Sequence, residues 1–315
     1  MIDSIVIGVT TIAFSKNEDL ISELRSKGFK KVKKNEEGKR FTQSELISFL
    51  QDCQAAIVGL DIINEEVLSK LPNLRVISKY GVGLDNIDFD ACERYNVKVF
   101  FPEGVNKRSV SEMTLGFMLS LCRNLYTTSN LLKNKIWNKS GGIQLSEKTI
   151  GVIGVGNVGK DLITLLKPFG CRVLVNDIVS QEEYYLENGL ESVSKEEIFS
   201  KSDVITIHTP LNEGTMNLFN KEVFLRMKKE AFIINTSRGG VINLNDLKWA
   251  LKRNEIAGAA IDVYDSEPPE DYELISIPNL MNTPHIGGNS REAVKAMGQA
   301  AISNVCNYYD LLVDE

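Results

Sequence analysis

The pattern that most narrows the folds open to this chain is a β-branched run, Thr149 to Ile153. It leads straight into Gly154-Val-Gly156-Asn-Val-Gly159 and then a helical pattern reaching Leu166. G-x-G-x-x-G between a strand and a helix predicts a βαβ unit whose first turn approaches a pyrophosphate. Gly154 permits the tight turn, Gly156 lets phosphates near the backbone, and Gly159 lets the helix pack closely on the strand. The helix then offers unbonded N–H groups and a positive dipole end to the anion. Glycine-rich turns also arise from packing alone, so the motif needs a second signal. Asp177 supplies one: it follows the strand pattern Val173 to Val175, eighteen positions after Gly159. An acid there accepts hydrogen bonds from both ribose hydroxyls of an adenosine and repels a 2′-phosphate, which predicts NAD rather than NADP.

The alternation of strand and helix runs through the whole chain in two series. In the first, strands are predicted at Ile5 to Val9, Ala55 to Val58, Arg75 to Ser78 and Val97 to Phe101. Helices are predicted at Asn17 to Lys27, Ser44 to Gln51 and Asn64 to Lys70. The second series begins at Thr149 and continues with strands at Arg172 to Asn176, Val204 to His208, Ala231 to Asn235, Ile256 to Asp262 and Leu280 to Asn282. Such alternation means α/β with mostly parallel sheets, and 315 residues suit two domains. The charged stretch Lys30 to Arg40 reads as a solvated loop, with Lys39 and Arg40 touching an anionic substrate as a lesser alternative. Between the two series Ser109 to Leu132 reads as one long helix, apolar on nearly every face in its centre. It is either sandwiched within a domain or covered by a second subunit, and a twofold homodimer is the expectation.

A net charge of −6 argues against a nucleic-acid groove, because phosphate neutralisation supplies most non-specific affinity for nucleic acid. The longest mostly apolar stretch, Met113 to Leu125, is too short to span a bilayer, and the N-terminus lacks a secretory pattern. Five scattered cysteines without C-x-x-C spacing read as reduced thiols in a cytoplasmic protein, with no metal site.

Three later strands end in polar residues that core packing does not explain. Asn235-Thr-Ser-Arg238-Gly-Gly240 follows an apolar strand, and its guanidinium suits bidentate binding of a carboxylate. Asp262-Val-Tyr-Asp-Ser-Glu267-Pro-Pro and Thr283-Pro-His285-Ile-Gly287-Gly288 end the next two. In doubly wound sheets ligands gather at the carboxyl ends of strands. An imidazole with a supporting carboxylate is a proton carrier near neutral pH. Of the two histidines, His285, between a proline and glycines, suits an open cleft, whereas His208 suits packing at the cofactor's edge.

Taken in order, Ser78-Lys-Tyr-Gly-Val-Gly-Leu-Asp-Asn-Ile-Asp88, Gly104-Val-Asn106, the glycine motif, Ser237-Arg-Gly-Gly240, the Asp262 segment and the His285 segment resemble the D-isomer-specific 2-hydroxyacid dehydrogenases, above all their phosphoglycerate dehydrogenase-like branch. The resemblance covers nearly the whole chain. It implies two doubly wound parallel-sheet domains. Residues 101–287 would form a Rossmann NAD-binding domain, and 1–100 with 288–315 a discontinuous, flavodoxin-like substrate domain. By position Arg238 would bind the substrate carboxylate, Glu267 would support the histidine and His285 would be the acid–base. Gly154, Gly156, Asn157, Val158, Gly159, Asp177, Thr209, Thr236, Asp262 and Gly287 would contact NAD. Lys79, Val82, Gly83 and Asn106 would line the substrate side with Arg238.

The chain also departs from the branch. Phosphoglycerate enzymes carry a basic residue after the strand that here ends at Val58, where this sequence reads Gly59-Leu60-Asp61; Lys79, Lys39 or Arg40 would have to substitute. Ending at Glu315, it is expected to be a short form without the regulatory domains of the long enzymes. Glu267 stands where formate dehydrogenases carry Gln, which counts against formate. The resemblance thus implies an NAD-dependent enzyme moving a hydride between nicotinamide and C2 of a small 2-hydroxy or 2-oxo acid. The rival reading is an NAD-sensing, corepressor-like regulator on the same fold.

Overall fold

Residues 2–311 are described by a computed structural model, in which the alternating pattern resolves into two wholly parallel sheets. The chain divides into two compact units, Met1–Asn106 with Gly288–Glu315, and Lys107–Gly287. Of the expected terminal portions, Met1 and residues 312–315 lie outside the described residues. The first crossover falls at Asn106–Lys107 rather than at 100/101, because the segment after Phe100 runs through turns before the next helix begins.

The first unit holds β1 (Val6–Val9), β2 (Lys31–Lys34), β3 (Ala55–Val58), β4 (Val76–Lys79) and β5 (Lys98–Phe100) in the order β2-β1-β3-β4-β5, the flavodoxin-like order. Its central strands are buried on both faces. Ile7, Val9, Ile57 and Val76 enter one core with the helix Arg291–Leu311, and Ala56, Val58 and Ile77 enter the other. Helix starts are set locally: Thr42 and Glu45 form a capping box ahead of Gln43–Leu50.

The charged stretch corrects the expected loop. Lys31–Lys34 is an edge strand, paired in register with Val6–Val9. Lysines suit an unpaired edge because they oppose further strand addition. Lys33 reaches back to the Phe49 carbonyl at 2.6 Å and to Asp52 at 2.5 Å. The remainder of the stretch is an ordered turn held by buried Asn35.

The second unit holds β6 (Thr149–Ile153), β7 (Arg172–Asn176), β8 (Glu191–Ser192), β9 (Val204–Ile207), β10 (Phe232–Asn235), β11 (Gly258–Ile261) and β12 (Leu280–Asn282) in the order β12-β11-β10-β9-β6-β7-β8. The order reverses between β6 and β9, which is the switch point of a Rossmann sheet. Neighbours along a strand face opposite cores, as Ile233 and Ile234 do.

The expected single helix over 109–132 is two, α1 (Lys107–Cys122) and α2 (Leu125–Lys133). The carbonyl of Cys122 accepts from the N–H of Ile143 at 2.7 Å, and Asn124 adopts a left-handed φ of 53°. Val110, Phe117, Met118 and Leu121 of α1 are buried inside this unit, against α3 (Asn157–Leu166) and the sheet. The all-round apolarity of the first half is thus absorbed within the unit.

Candidate active site

The motif Gly154–Gly159 forms the turn from β6 into α3. Gly154 has φ +94°, and a Cβ there would lie 2.6 Å from the His208 carbonyl oxygen; one on Gly159 would lie 2.3 Å from the Gly154 oxygen. A side chain on Gly154 would push the turn off the backbone that follows β9, and one on Gly159 would push α3 off the turn. Gly156 is the N-cap of α3, with open space where a Cβ would stand and no side chain capping the helix. The N–H groups of the first turn, at Asn157 and Val158, are therefore presented as an anion site. At the end of β7, Asp177 accepts from the Val155 N–H at 2.5 Å and from the Val179 N–H at 2.9 Å, which ties the acid to the glycine turn. After β9 the hydroxyl of Thr209 is buried without a hydrogen-bond partner among the described residues, and after β10 Thr236 pairs with Thr114 at 3.0 Å. An uncapped helix start, an acid one strand away and an unsatisfied hydroxyl fit a dinucleotide laid along this edge.

β10, β11 and β12 are adjacent and parallel, so their carboxyl ends deliver Arg238, Glu267 and His285 to one edge. Arg238 follows Asn235, whose side chain holds the turn by donating to the Arg238 carbonyl at 2.8 Å and accepting from Ser237. A Cβ on Gly239 would lie 2.1 Å from the Tyr264 carbonyl carbon, so the Arg238 turn packs backbone against backbone on the Glu267 loop.

Both carboxylate oxygens of Glu267 lie 2.9 Å from Nδ1 of His285. One of them also accepts from the Tyr264 N–H at 3.3 Å. The bond to Glu267 raises the His285 pKa above its ordinary value, while burial and the nearby Arg238 charge oppose the rise. His208 is different. Burial lowers its pKa to about 4, and its Nε2 lies 3.0 Å from the Thr206 hydroxyl, so it stays neutral near neutral pH.

His285 sits in the left-handed region at φ 53°, rare for a residue with a side chain. Asp262, 1% exposed, clamps that turn from below. Its Oδ1 accepts from the Thr283 hydroxyl at 2.6 Å and the Ile286 N–H at 2.8 Å, and its Oδ2 from the Gly287 N–H at 2.7 Å. Burial raises the Asp262 pKa against these three donors. Sequence reasoning gave Asp262 and Gly287 only a cofactor contact and missed this anchoring, and it missed Thr283 altogether. The available signal was an acid ending a fully apolar strand, which stays buried only if it is well bonded.

The expected substrate-side residues Lys79, Val82, Gly83 and Asn106 belong to the other unit. Lys79, 2% exposed at the end of β4, donates to the Gly59 carbonyl and to Asn86 Oδ1 at 2.8 Å. It braces the loop after β3 and is not displayed as a charge for a phosphate. Lys39 is also engaged, with Glu37 at 2.7 Å and Glu45 at 2.8 Å. Val82 and Gly83 lie in the half-buried turn after β4, and the side-chain oxygen of Asn106 is buried without a partner among the described residues. No group of His, Cys, Asp and Glu among the described residues could hold a metal ion. No helix among them is long and apolar enough to cross a membrane.

Residues 115–287 match the family described as D-isomer specific 2-hydroxyacid dehydrogenase, NAD binding domain. The chain is 36% identical over 261 residues, 82% of its length, to D-3-phosphoglycerate dehydrogenase of Methanocaldococcus jannaschii, half of whose length it covers. It is 35% identical over 269 residues to YoaD of Bacillus subtilis, which carries a 2-hydroxyacid dehydrogenase name; the match covers 82% of this chain and 77% of that one. The chain thus spans about half the length of the curated phosphoglycerate dehydrogenases it matches. Among solved structures it is similar to D-lactate dehydrogenase from Aquifex aeolicus, complexed with NAD and lactic acid. The TM-score is 0.84 at 25% identity, covering 98% of this chain and 96% of that one.

Proposed function

The chain belongs to the D-isomer-specific 2-hydroxyacid dehydrogenases, and from that premise we propose that it interconverts a D-2-hydroxy acid and its 2-oxo acid with NAD. The observation that carries the reading is the Glu267 carboxylate on Nδ1 of His285, at the same sheet edge as Arg238. Bound NAD supplies the hydride acceptor, and NADH the hydride donor. The first turn of α3 holds its pyrophosphate, Asp177 its adenosine ribose, and Thr209, Thr236 and Asp262 with the Gly287 backbone its remaining length. Arg238 binds the substrate carboxylate through two parallel N–H bonds, which fixes C2 and its oxygen. Glu267 keeps hydrogen on Nδ1, so proton exchange with the C2 oxygen falls to Nε2 of His285. In reduction the imidazolium gives that proton; in oxidation the neutral ring takes it, and Glu267 stabilises the cation formed. Val82, Gly83 and Asn106 serve the substrate side, and Lys79 braces the loop after β3.

A cytoplasmic homodimer completes the reading. Its support is the apolar surface on and after α2, where Leu125, Leu132, Ile136 and Trp137 are exposed. The enzymatic reading is tested by following nicotinamide absorbance with phosphohydroxypyruvate, hydroxypyruvate, glyoxylate and pyruvate. At least one is reduced, faster with NADH than with NADPH, and any product with a stereogenic C2 is the D-hydroxy acid. Failure of all four with either cofactor contradicts it.

A further inference from the structure

We propose that Tyr264 is the positioning residue of the site: its backbone holds the Glu267 carboxylate and its hydroxyl holds the His285 turn, so that one residue aligns the proton carrier with its supporting acid. The proposal deepens the dehydrogenase reading and rests on it. β11 lies between β10 and β12 in the sheet, so the segment that follows it meets the turns that end both neighbours. Tyr264 stands in that segment, 8% exposed and packed in the core of the second unit. Its N–H donates to Oε1 of Glu267 at 3.3 Å. Its hydroxyl donates to the Thr283 carbonyl at 3.1 Å. Its carbonyl lies against the Arg238 turn, where a Cβ on Gly239 would stand 2.1 Å from the carbonyl carbon and 2.3 Å from the oxygen. The turns that end β10, β11 and β12 thus meet on one residue.

The hydroxyl is placed where it bears on the chemistry. The Thr283 carbonyl that accepts it also accepts the His285 N–H at 3.0 Å, so both bonds fall on the oxygen that closes the turn in which His285 takes φ 53°. Glu267 and His285 are therefore joined twice, directly through Nδ1 and again through the covalent frame of Tyr264. Burial, with Asp262 and Glu267 adding to it, pushes the Tyr264 pKa up to about 12, so the hydroxyl stays a donor near neutral pH. Asp262 clamps the same turn through other groups, the Thr283 hydroxyl and the N–H groups of Ile286 and Gly287. Loss of the tyrosine hydroxyl should therefore loosen the turn without unfolding it.

The test is Tyr264→Phe, which keeps the ring in the core and the backbone contacts to Glu267 and Gly239. Steady-state reduction is measured across pH with NADH and phosphohydroxypyruvate, hydroxypyruvate, glyoxylate or pyruvate, whichever the wild type reduces fastest. The expected kcat is about threefold to tenfold lower, the worth of one hydrogen bond. The KM of the 2-oxo acid should stay within about twofold, because the Arg238 turn rests on the Tyr264 backbone. The bond to Glu267 is the main cause that raises the His285 pKa, and the Asp262 charge adds to it against burial and Arg238. All three charged groups remain in the variant. A looser Glu267–His285 bond should therefore show as a high-pH limb moved to lower pH, by less than Glu267→Gln moves it. In a Glu267→Gln background the same substitution should move the limb no further, because the charge it aligns is gone. A lower melting temperature with unmoved limbs, an unchanged kcat, or an equal further shift in the Glu267→Gln background overturns the positioning role and leaves the dehydrogenase reading intact. Reduction of none of the four acids by the wild type overturns that reading, and the positioning role with it.

Discussion

Glu267 acts on His285 in two ways, and the two have different consequences. Its carboxylate fixes which ring nitrogen carries hydrogen, and its charge favours the imidazolium. Glu267→Gln keeps a polar partner but removes the charge, so the His285 pKa falls. Reduction of the 2-oxo acid needs the protonated ring and proceeds below that pKa. Its high-pH limb should therefore move to lower pH in the variant, with a smaller loss at acidic pH, while oxidation extends to lower pH. Rate profiles in both directions measure this; unchanged limbs contradict the role given to Glu267. The difference in setting between the two histidines was legible from their neighbours, because His285 lies between a proline and glycines. The geometry adds what neighbours cannot show. His208 is held neutral by burial, and the left-handed turn of His285 is clamped through Asp262 by residues that follow it in sequence. The Asp262 clamp depends on β11 and β12 being adjacent, a pairing that local pattern does not encode.

At the scale of elements, strands buried on both faces were the most legible, since continuous apolar runs leave little choice of conformation. Lys31–Lys34 was missed because an edge strand needs only one partner and its lysine side chains read as solvated. The break between α1 and α2 was missed for another reason. It depends on the segment at Ile143 returning to take the Cys122 carbonyl, a contact made far along the chain. That break matters for assembly. The buried apolar side chains belong to α1, whereas Leu125, Leu132, Ile136 and Trp137 stand 54%, 57%, 52% and 78% exposed. An exposed apolar patch of this kind marks an interaction surface. Light scattering should therefore give a homodimer at micromolar concentration, and Trp137→Ser with Ile136→Ser should shift it toward monomer. A wild-type monomer contradicts the proposed dimer.

Over the whole molecule, two sheets of different strand order form two separate units. In the Rossmann-ordered unit the glycine turn, Asp177, Arg238, Glu267 and His285 all sit at carboxyl ends of strands, so order and alternation alone place them on one edge. That much of the site was legible because each motif directly ends a strand. The place of Tyr264 was not, because it arises from Gly239 and Thr283 meeting it from the ends of the two neighbouring strands. The account as a whole rests on one proton carrier. The most direct measurement is steady-state 2-oxo acid reduction by His285→Gln and His208→Gln, with NADH binding followed by fluorescence. His285→Gln should bind NADH as the wild type does and lose turnover by about 10²- to 10⁴-fold or more, the usual worth of general acid–base catalysis. His208→Gln should retain most activity. Near-full turnover in His285→Gln, with activity abolished in His208→Gln, would contradict it.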